Sequence, residues 1–277
     1  MPKGYSLHIG LNTVNPDHYD GWDGRLVACE SDAIQMSEIA KKMNFASIDV
    51  KLTKEATRDQ FKDIVRSYSK KLQPGDLFLL TYSGHGGQLP DLNNDEADAI
   101  DETWCMYDGQ IADDEIYELW SGFKEGVRVL VFSDSCHSGT VVRDMLAGIT
   151  SNIVGENGTE IRYRFMPWNV ANKTYMKNRS FYDEILYNPK TKEDAKNIKC
   201  TVRLISGCQD NQYSLDGPFN GLFTGTLLRI WNNGRFKGNY DKFHKAILNV
   251  MPRSQSPNHF VIGKHDPVFA DQSPFQI

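Results

Sequence analysis

The chain has 277 residues, of which 40% are hydrophobic and 24% are charged, a composition typical of a folded globular protein and not of a disordered one. Its net charge of −5 argues against nucleic acid as the main partner, because phosphate binding requires clustered Lys and Arg. No stretch approaches the roughly 20 apolar residues of a membrane-spanning helix, so we expect no membrane partner.

Strand and helix patterns alternate from the start of the chain. Apolar runs predict strands at residues 5–11, 47–52, 76–83 and 127–133, and apolar residues at helical spacing predict helices at 30–43, 57–72 and 113–120. After a gap, the pattern predicts a strand at 200–206, helices at 222–231 and 240–250, a last strand at 259–262 and a coil tail. This alternation predicts one α/β domain over residues 1–277, with a mostly parallel central sheet and helices on both faces.

Residues 146–197 interrupt the alternation. They are polar and rich in Asn and Lys, and only residues 179–187 favour a helix. We interpret this segment as a long insertion in the domain, and we expect it to be either a self-processing segment or a lid.

The five cysteines are widely spaced and odd in number, without the rhythm of a disulfide framework. The amino terminus lacks the apolar region of a secretory signal. Together these features predict a cytoplasmic protein with reduced thiols. Cys105, Cys200 and Cys208 are expected to be core or loop thiols.

Two polar loops follow predicted buried strands, SGHGG at residues 83–87 and SDSCHSG at residues 133–139. In open parallel sheets, ligands bind at the carboxyl ends of the strands, so both loops lie where a site is expected. A thiol needs a base to become a good nucleophile near neutral pH, and imidazole is the usual one. Cys136 and His85 are therefore the candidate nucleophile and base. His137 is the alternative base, although adjacent side chains point in different directions.

These loops resemble the catalytic pair of metacaspases, and His85 precedes Cys136 by about 50 residues, the separation found in caspases. The resemblance continues through CESDA at 29–33, DDE at 113–115, SGCQD at 206–210 and NGLFT at 220–224, and it covers about residues 5–145 and 198–262. It implies the caspase-like fold, a monomer and a cysteine endopeptidase with a Cys-His dyad. It also implies that the backbone N–H groups of Gly86 and Cys136 stabilise the oxyanion.

The resemblance also implies a basic substrate preference. Metacaspases build an acidic specificity pocket at positions that match Asp32, Ser83 and Asp134 of this sequence. Two carboxylates pair with a guanidinium or ammonium group and reject aspartate, which implies cleavage of protein or peptide substrates after Arg or Lys. The alternative for Asp32 is a first-turn carboxylate stabilised by the helix dipole.

Aspartates are dense between residues 91 and 114. An EF-hand over residues 91–102 is rejected, because Glu96 occupies the position of the required turn glycine. Calcium-activated metacaspases use four aspartates that match Asp101, Asp113, Asp114 and Asp144, so the resemblance predicts Ca²⁺ as an activator, while the chemistry itself requires no cofactor. A solvated acidic loop is the alternative.

An endopeptidase that cuts after basic residues would be able to process itself within the insertion, where exposed loops invite cleavage. Arg162 and Arg164 are among several candidates, and the sequence alone selects none of them. Ordinary amphipathic packing of residues 162–165 is the alternative.

Other functions stay open at this stage. A caspase-fold protease with a preference for Asn or acidic residues is disfavoured by the acidic pocket. A catalytically inactive regulatory or scaffold protein is disfavoured by the retention of both His85 and Cys136. A zinc site made of Cys136, His137 and His85 lacks the paired spacing of zinc ligands. No recruitment domain is visible, so a separate regulatory protein is one expected means of control.

Overall fold

The computed structural model describes residues 1–90, 100–136, 152–154, 160–188, 193, 197–209, 212 and 214–277. In chain order, its strands are β1 (Gly4–Gly10), β2 (Ser47–Leu52), β3 (Leu77–Ser83), β4 (Gly86–Pro90), β5 (Ile100–Met106), β6 (Gly109–Ala112), β7 (Arg128–Asp134), β8 (Asn152–Val154), β9 (Glu160–Tyr163), β10 (Thr201–Ser206), β11 (Leu215–Asp216) and β12 (Asn258–Gly263).

The α-helices in the same part of the chain are α1 (Cys29–Lys42), α2 (Arg58–Lys71), α3 (Asp113–Ser121), α4 (Trp168–Lys177), α5 (Arg179–Leu186), α6 (Leu222–Trp231), α7 (Tyr240–Leu248) and α8 (Pro267–Asp271). Short 3₁₀ turns lie at Thr53–Glu55 and Asn232–Gly234. No helix among the described residues is both long enough and apolar enough to cross a membrane.

Six strands form the central sheet in the order β12-β10-β7-β3-β1-β2. All neighbours are parallel except β12, which runs antiparallel to β10 at one edge. Strands β3 and β7 lie in the middle and are buried along their whole length, as their continuous apolar sequences predict. The predicted mostly parallel α/β sheet is confirmed.

Side chains alternate between the two faces of this sheet. On β3, Phe78 and Leu80 face a core formed with the apolar stripes of α2 and α3, whereas Leu77 and Leu79 face a second core formed with α1, α6 and α7. Because β3 and β7 are parallel neighbours, their carboxyl ends lie together at one end of this buried layer.

Two smaller antiparallel sheets lie outside the central one, with the orders β4-β5-β6 and β11-β9-β8. Helices α4 and α5 of the insertion pack beside the β4-β5-β6 sheet, where Tyr175, Tyr182 and Leu186 form a buried cluster with Leu89 and Ala112. The predicted insertion thus contains more regular structure than the single helix expected from its sequence.

The predicted bounds match closely in the central sheet and its helices, with residues 47–52 and 222–231 predicted to the residue. The smaller sheets and α4 were not predicted, because their strands are short or glycine-rich and lack a long period. The predicted coil tail is wrong, since α8 lies within it. Asp266 caps this helix by accepting from the N–H of Val268 at 2.9 Å, and Pro267 occupies its first position.

Candidate active site

The two candidate loops begin side by side because β3 and β7 are parallel neighbours. Ser83, the last residue of β3, is paired with Asp134, the last residue of β7. Both side chains are buried. The parallel register therefore brings one predicted pocket residue from each strand to the same end of the sheet.

Cys136 lies two residues past the end of β7 and is fully buried. Its Sγ accepts a hydrogen bond from the backbone N–H of Ser214 and lies 3.7 Å from the carbonyl oxygen of the same residue. Phe165 and Cys208 belong to the same buried cluster. The backbone of Ser214 therefore fixes the position of the sulfur at the end of β7.

His85 is buried beside Trp22, with ring centroids 4.7 Å apart. Its Nε2 lies 2.9 Å from the carbonyl oxygen of Gly24. Because a carbonyl only accepts, Nε2 carries the proton of the neutral ring and Nδ1 keeps a lone pair. Burial lowers the pKa of His85 to about 4, although hydrogen bonding to the backbone of Gly24 and Phe165 opposes this. The ring is therefore neutral near pH 7, and its Nδ1 carries no proton.

Two backbone N–H groups converge on one carbonyl oxygen at this site. Those of Gly86 and Cys136 each donate to the carbonyl of Arg164 at 3.0 Å. A Cβ at residue 86 would lie 1.7 Å from the carbonyl oxygen of Cys136, so only glycine allows the two loops to approach this closely. Two donors on one carbonyl oxygen form the arrangement of an oxyanion hole.

The carbonyl in this arrangement belongs to an extended segment of the insertion. Strand β9 pairs antiparallel with β11, and the N–H of Arg164 continues this ladder by donating to the carbonyl of Ser214 at 3.0 Å. Beyond it, the N–H of Met166 donates to the carbonyl of Gly86 at 2.7 Å. Main-chain hydrogen bonds on both sides thus hold the Arg164–Phe165 peptide bond against the two loops.

The side chain of Arg164 is fully buried in a polar pocket. Its Nη1 lies 2.8 Å from Oγ of Ser83 and 3.0 Å from Oδ2 of Asp134. Its Nη2 lies 2.8 Å from Oδ2 of Asp32 and 3.0 Å from Oδ1 of Asp216. The three predicted pocket residues therefore surround one guanidinium group, together with a fourth residue that was not predicted.

The carboxylates are fixed by further donors. Oδ1 of Asp32 accepts from Nδ2 of Asn220 at 2.9 Å and from the N–H of Gly221 at 3.1 Å. Oδ2 of Asp134 accepts from both the N–H and the Oγ1 of Thr224, at 3.0 and 2.8 Å. Asp32 does lie in the first turn of α1, but these contacts show that its carboxylate also belongs to the pocket.

The charges in the pocket favour a cation. Burial raises the pKa of Asp32, the Arg164 guanidinium opposes this, and the neighbouring Asp134 raises the pKa further. Burial alone would lower the pKa of the Arg164 guanidinium, but Asp134, Asp32 and Asp216 hold it well above its ordinary value. Three carboxylates face one guanidinium, so an uncharged or acidic side chain would leave buried negative charge uncompensated.

A family model described as a caspase domain, Peptidase_C14, matches residues 13–273 of this sequence. The chain belongs to the caspase-domain family. Among curated relatives, Metacaspase-1 of Schizosaccharomyces pombe is 29% identical over 255 residues, which is 81% of this chain and 58% of the relative. Metacaspase-1 of Saccharomyces cerevisiae is 29% identical over 251 residues, or 80% of this chain and 56% of the relative. The predicted resemblance to metacaspases is confirmed, although the chain spans less than two thirds of these relatives.

Solved structures agree with the caspase-like fold. The crystal structure of a protein from Geobacter sulfurreducens is 52% identical, covers 99% of both chains and superposes with a TM-score of 0.87. Caspase-1 from Spodoptera frugiperda is 8% identical and superposes with a TM-score of 0.52 over 95% of this chain and 86% of its own. The second similarity shows the fold alone.

Three of the four predicted calcium ligands lie within the described residues. Asp101 is buried on β5, and Asp113 and Asp114 are the first two residues of α3. Asp144 lies outside the described residues. Within the part of the chain that the structure describes, no group of three or more His, Cys, Asp or Glu is arranged to hold a metal ion.

The zinc alternative and the second candidate base both depend on His137, which also lies outside the described residues. All five cysteines are buried free thiols. Burial raises the pKa of Cys105 well above its usual range and that of Cys200 to about 12. These two thiols fit the predicted structural role and not a catalytic one.

Sequence reasoning missed two residues of the site. Arg164 was one basic residue among several in the insertion, and nothing in the pattern around it distinguished it. Asp216 follows the SGCQD motif by six positions and lies among other polar residues. Its carboxylate was the single feature that could have indicated a pocket role, and that feature is shared by many surface residues. Asp216 lies in the two-residue strand β11 and Arg164 directly follows β9, so the positions of both depend on the pairing of these short strands.

Proposed function

We propose that this caspase-domain protein is a cysteine endopeptidase that cleaves after arginine or lysine. The observation that carries the proposal is the position of Arg164. Its guanidinium contacts Asp32, Ser83 and Asp134, while its carbonyl oxygen accepts from the two backbone amides beside the thiol. A peptide residue in this place has its side chain bound by specificity groups and its carbonyl polarised for attack.

In the proposed reaction, Nδ1 of His85 takes the proton of the Cys136 thiol, and the sulfur attacks the carbonyl carbon of the basic residue. The N–H groups of Gly86 and Cys136 hold the resulting oxyanion. The carbon–nitrogen bond then breaks, and the leaving amine takes the proton from His85. Water hydrolyses the thioester, which releases the carboxylate product and restores the thiol.

We include self-processing in this proposal and assign it to the Arg164–Phe165 bond. Both sides of this bond are held by main-chain hydrogen bonds, and Phe165 packs in the same cluster as Cys136. Cleavage there forms a new amino terminus at Phe165 and separates β9 and Arg164 from α4 and the residues that follow. We expect β9 and Arg164 to occupy the substrate site until then and to exclude other peptides.

The first test compares fluorogenic peptides that end in Arg, Lys, Asp or Asn before the scissile bond. We expect cleavage of the Arg and Lys peptides by the wild type and none by Cys136→Ala. Cys200→Ala is the matched control, since its thiol is also buried but lies beside the carbonyl of Trp120. Cleavage after Asp would refute the acidic pocket, and no cleavage of any peptide would favour the inactive scaffold.

The second test identifies the self-processing site by intact mass and amino-terminal sequencing. We expect fragments 1–164 and 165–277, absent from Cys136→Ala and from Arg164→Gln and present in Arg162→Gln. Because the reaction is intramolecular, its half-time should not change on tenfold dilution. Fragments that begin elsewhere, or a half-time that grows with dilution, would contradict cleavage of the bound strand.

Calcium activation stays a prediction from the family resemblance. The sequence order supports it only in that Asp101 precedes Thr103 on β5 by two residues, and Thr103 pairs with Ala112, the residue before Asp113 and Asp114. We expect peptidase activity to rise with added Ca²⁺ and to fall with a chelator. If the protein cleaves Arg peptides equally well with added Ca²⁺ and with a chelator, activation by calcium is excluded, while the proposed endopeptidase activity stands.

A monomeric state and a cytoplasmic location are also predictions, as is control by a regulatory protein. Light scattering coupled to size exclusion tests the first, with about 31.5 kDa expected for one chain. Fractionation of the source cells tests the second. Activity of the purified chain alone would show that no protein partner is required.

A further inference from the structure

Asp216 forms the side of the pocket that faces the second guanidinium nitrogen. It is the last residue of β11, and its side chain is buried. Its Oδ1 lies 3.0 Å from Nη2 of Arg164 and accepts from the N–H of Ala28 at 3.2 Å. Its Oδ2 accepts from the N–H of Val27 at 2.7 Å. Two backbone donors thus fix the carboxylate in position before a substrate side chain enters.

The two nitrogens of the guanidinium have separate sets of acceptors. Nη1 is surrounded by Oγ of Ser83, Oδ2 of Asp134 and the carbonyl oxygen of Asp134, at 2.8, 3.0 and 3.2 Å. Among the described residues, the acceptors within reach of Nη2 are the carboxylates of Asp32 and Asp216. Asp32 is shared, because its Oδ2 also accepts from Ser83 Oγ at 2.8 Å and from Gly221 N at 3.2 Å. Asp216 therefore supplies much of the charge that faces Nη2.

We infer that Asp216 is a specificity-determining residue that makes this pocket select arginine over lysine. The inference rests on the proposed function, since it concerns the same site. A planar guanidinium presents two terminal nitrogens in a fixed fork, and each matches one of the two acceptor sets. A lysine ammonium has one nitrogen and satisfies only one set. The other carboxylate then stays buried without a cation, which is costly.

The expected preference is measured as the ratio of kcat/KM for two peptides that differ only in Arg or Lys before the scissile bond. For the wild type, after self-processing is complete, we expect this ratio to be about ten or more, the scale of one charge-assisted hydrogen bond. A citrulline peptide, which keeps the shape of arginine without its charge, should not be cleaved.

Asp216→Asn removes the charge but keeps an oxygen that accepts from the Val27–Ala28 backbone. We expect it to lower kcat/KM for the Arg peptide by about tenfold or more and to change that for the Lys peptide much less, so that the ratio collapses. Asp241→Asn is the control, because Asp241 is a largely exposed carboxylate on α7 and away from the pocket. Thermal unfolding confirms that each variant is folded.

The outcomes are distinguishable. If Asp216→Asn lowers kcat/KM for the Arg and Lys peptides equally, Asp216 only supports the backbone of residues 27–28, and the inference is wrong. If the wild type cleaves Arg and Lys peptides equally well, the inference is wrong while the proposed function stands. This second result requires no variant, so it decides the inference even if Asp216→Asn fails to fold. If neither basic peptide is cleaved, the proposed function fails and the inference fails with it.

Discussion

Nη2 of Arg164 lies 2.8 Å from Oδ2 of Asp32, and both side chains are buried at the centre of the site. The two residues come from distant parts of the chain, one from the insertion and one from the first helix. The contact therefore does more than pair two charges. It holds the segment from β9 to α4 over the thiol of Cys136.

Removing this contact should expose the thiol. In Arg164→Ala, we expect the segment that covers Cys136 to separate from the pocket, because breaking a buried ion pair costs about 3–5 kcal/mol. Alkylation of Cys136 by iodoacetamide, followed by peptide mass mapping, should become at least about tenfold faster than in wild-type protein that is still one intact chain. Cys105 and Cys200 remain buried and serve as internal controls. An unchanged rate at Cys136 would show that Arg164 does not hold the segment in place.

Gly221 should be required for an open specificity pocket. A Cβ at this position would lie 2.4 Å from Oδ2 of Asp134 and 2.5 Å from Nη1 of Arg164. We expect Gly221→Ala to lower kcat/KM for Arg peptides by about a hundredfold. The added methyl group would displace the guanidinium of the bound arginine from Ser83 and Asp134, the partners of its first terminal nitrogen. Gly225→Ala, in the following turn of α6, is the control because its Cβ would meet only Asn220 at 3.3 Å. Comparable losses in both variants would point to a general effect on α6.

The central sheet was predictable because its strands are long, apolar and separated by helices with a clear period. Strand β3 illustrates this, since every residue from Leu77 to Ser83 is buried and the preceding Pro74-Gly75 breaks the pattern. The smaller sheets were not predictable, because a strand such as β11 has two residues and forms only where β9 pairs with it. No local propensity specifies such a pairing.

The candidate site divides in the same way. The parallel sheet itself brings together the residues that lie at its strand ends or in the loops that follow, namely Ser83, His85, Asp134 and Cys136. Arg164 reaches the site through a segment whose course depends on tertiary contacts, so its sequence resembled ordinary packing. The role of Asp216 was not predictable either, because it follows from the contact of its carboxylate with the Arg164 guanidinium. Family resemblance supplied the specificity prediction, and the contacts of Arg164 supplied a physical reason for it.

His8 should make the protein sensitive to acid. Its ring is fully buried on β1, with Nδ1 2.9 Å from Oγ1 of Thr81, and burial followed by repulsion from Lys41 lowers its pKa to about 3. The unfolded chain takes up this proton near pH 6.5 and the folded protein does not, so stability is undiminished above pH 6.5 and is lost as the pH falls toward 3. Between pH 6.5 and 5 this one residue lowers the free energy of unfolding by about 2 kcal/mol.

The variant His8→Gln keeps a neutral hydrogen-bonding group but cannot take up the proton. We expect its midpoint of thermal unfolding to fall less than that of the wild type between pH 7.5 and 5, by several degrees. His265→Gln, at an exposed position, should behave as the wild type. Parallel pH curves for all three proteins would contradict the assignment to His8, and would direct attention to His18, His85 and His259, whose pKa values burial lowers to about 4.

Arg58 and Glu115 should support the fold without affecting the site. They join α2 to α3 through two hydrogen bonds of 3.1 and 2.9 Å, with side chains only 7% and 9% exposed. In Glu115→Ala, Arg58 and Lys62 lose their common carboxylate while still largely buried, so we expect a loss of about 3–5 kcal/mol of unfolding free energy in urea.

The matched control for this pair is Glu38→Ala, which breaks a surface pair with Lys41 whose side chains are 59% and 57% exposed. It should change the unfolding free energy by less than about 1 kcal/mol, because exposed pairs gain little and are screened by water. At 20 °C both variants should keep kcat/KM for Arg peptides within about twofold of the wild type, since neither pair contacts the pocket. A large loss of activity in folded Glu115→Ala would instead mean that the α2–α3 layer positions the end of β3, and through it Ser83 and His85.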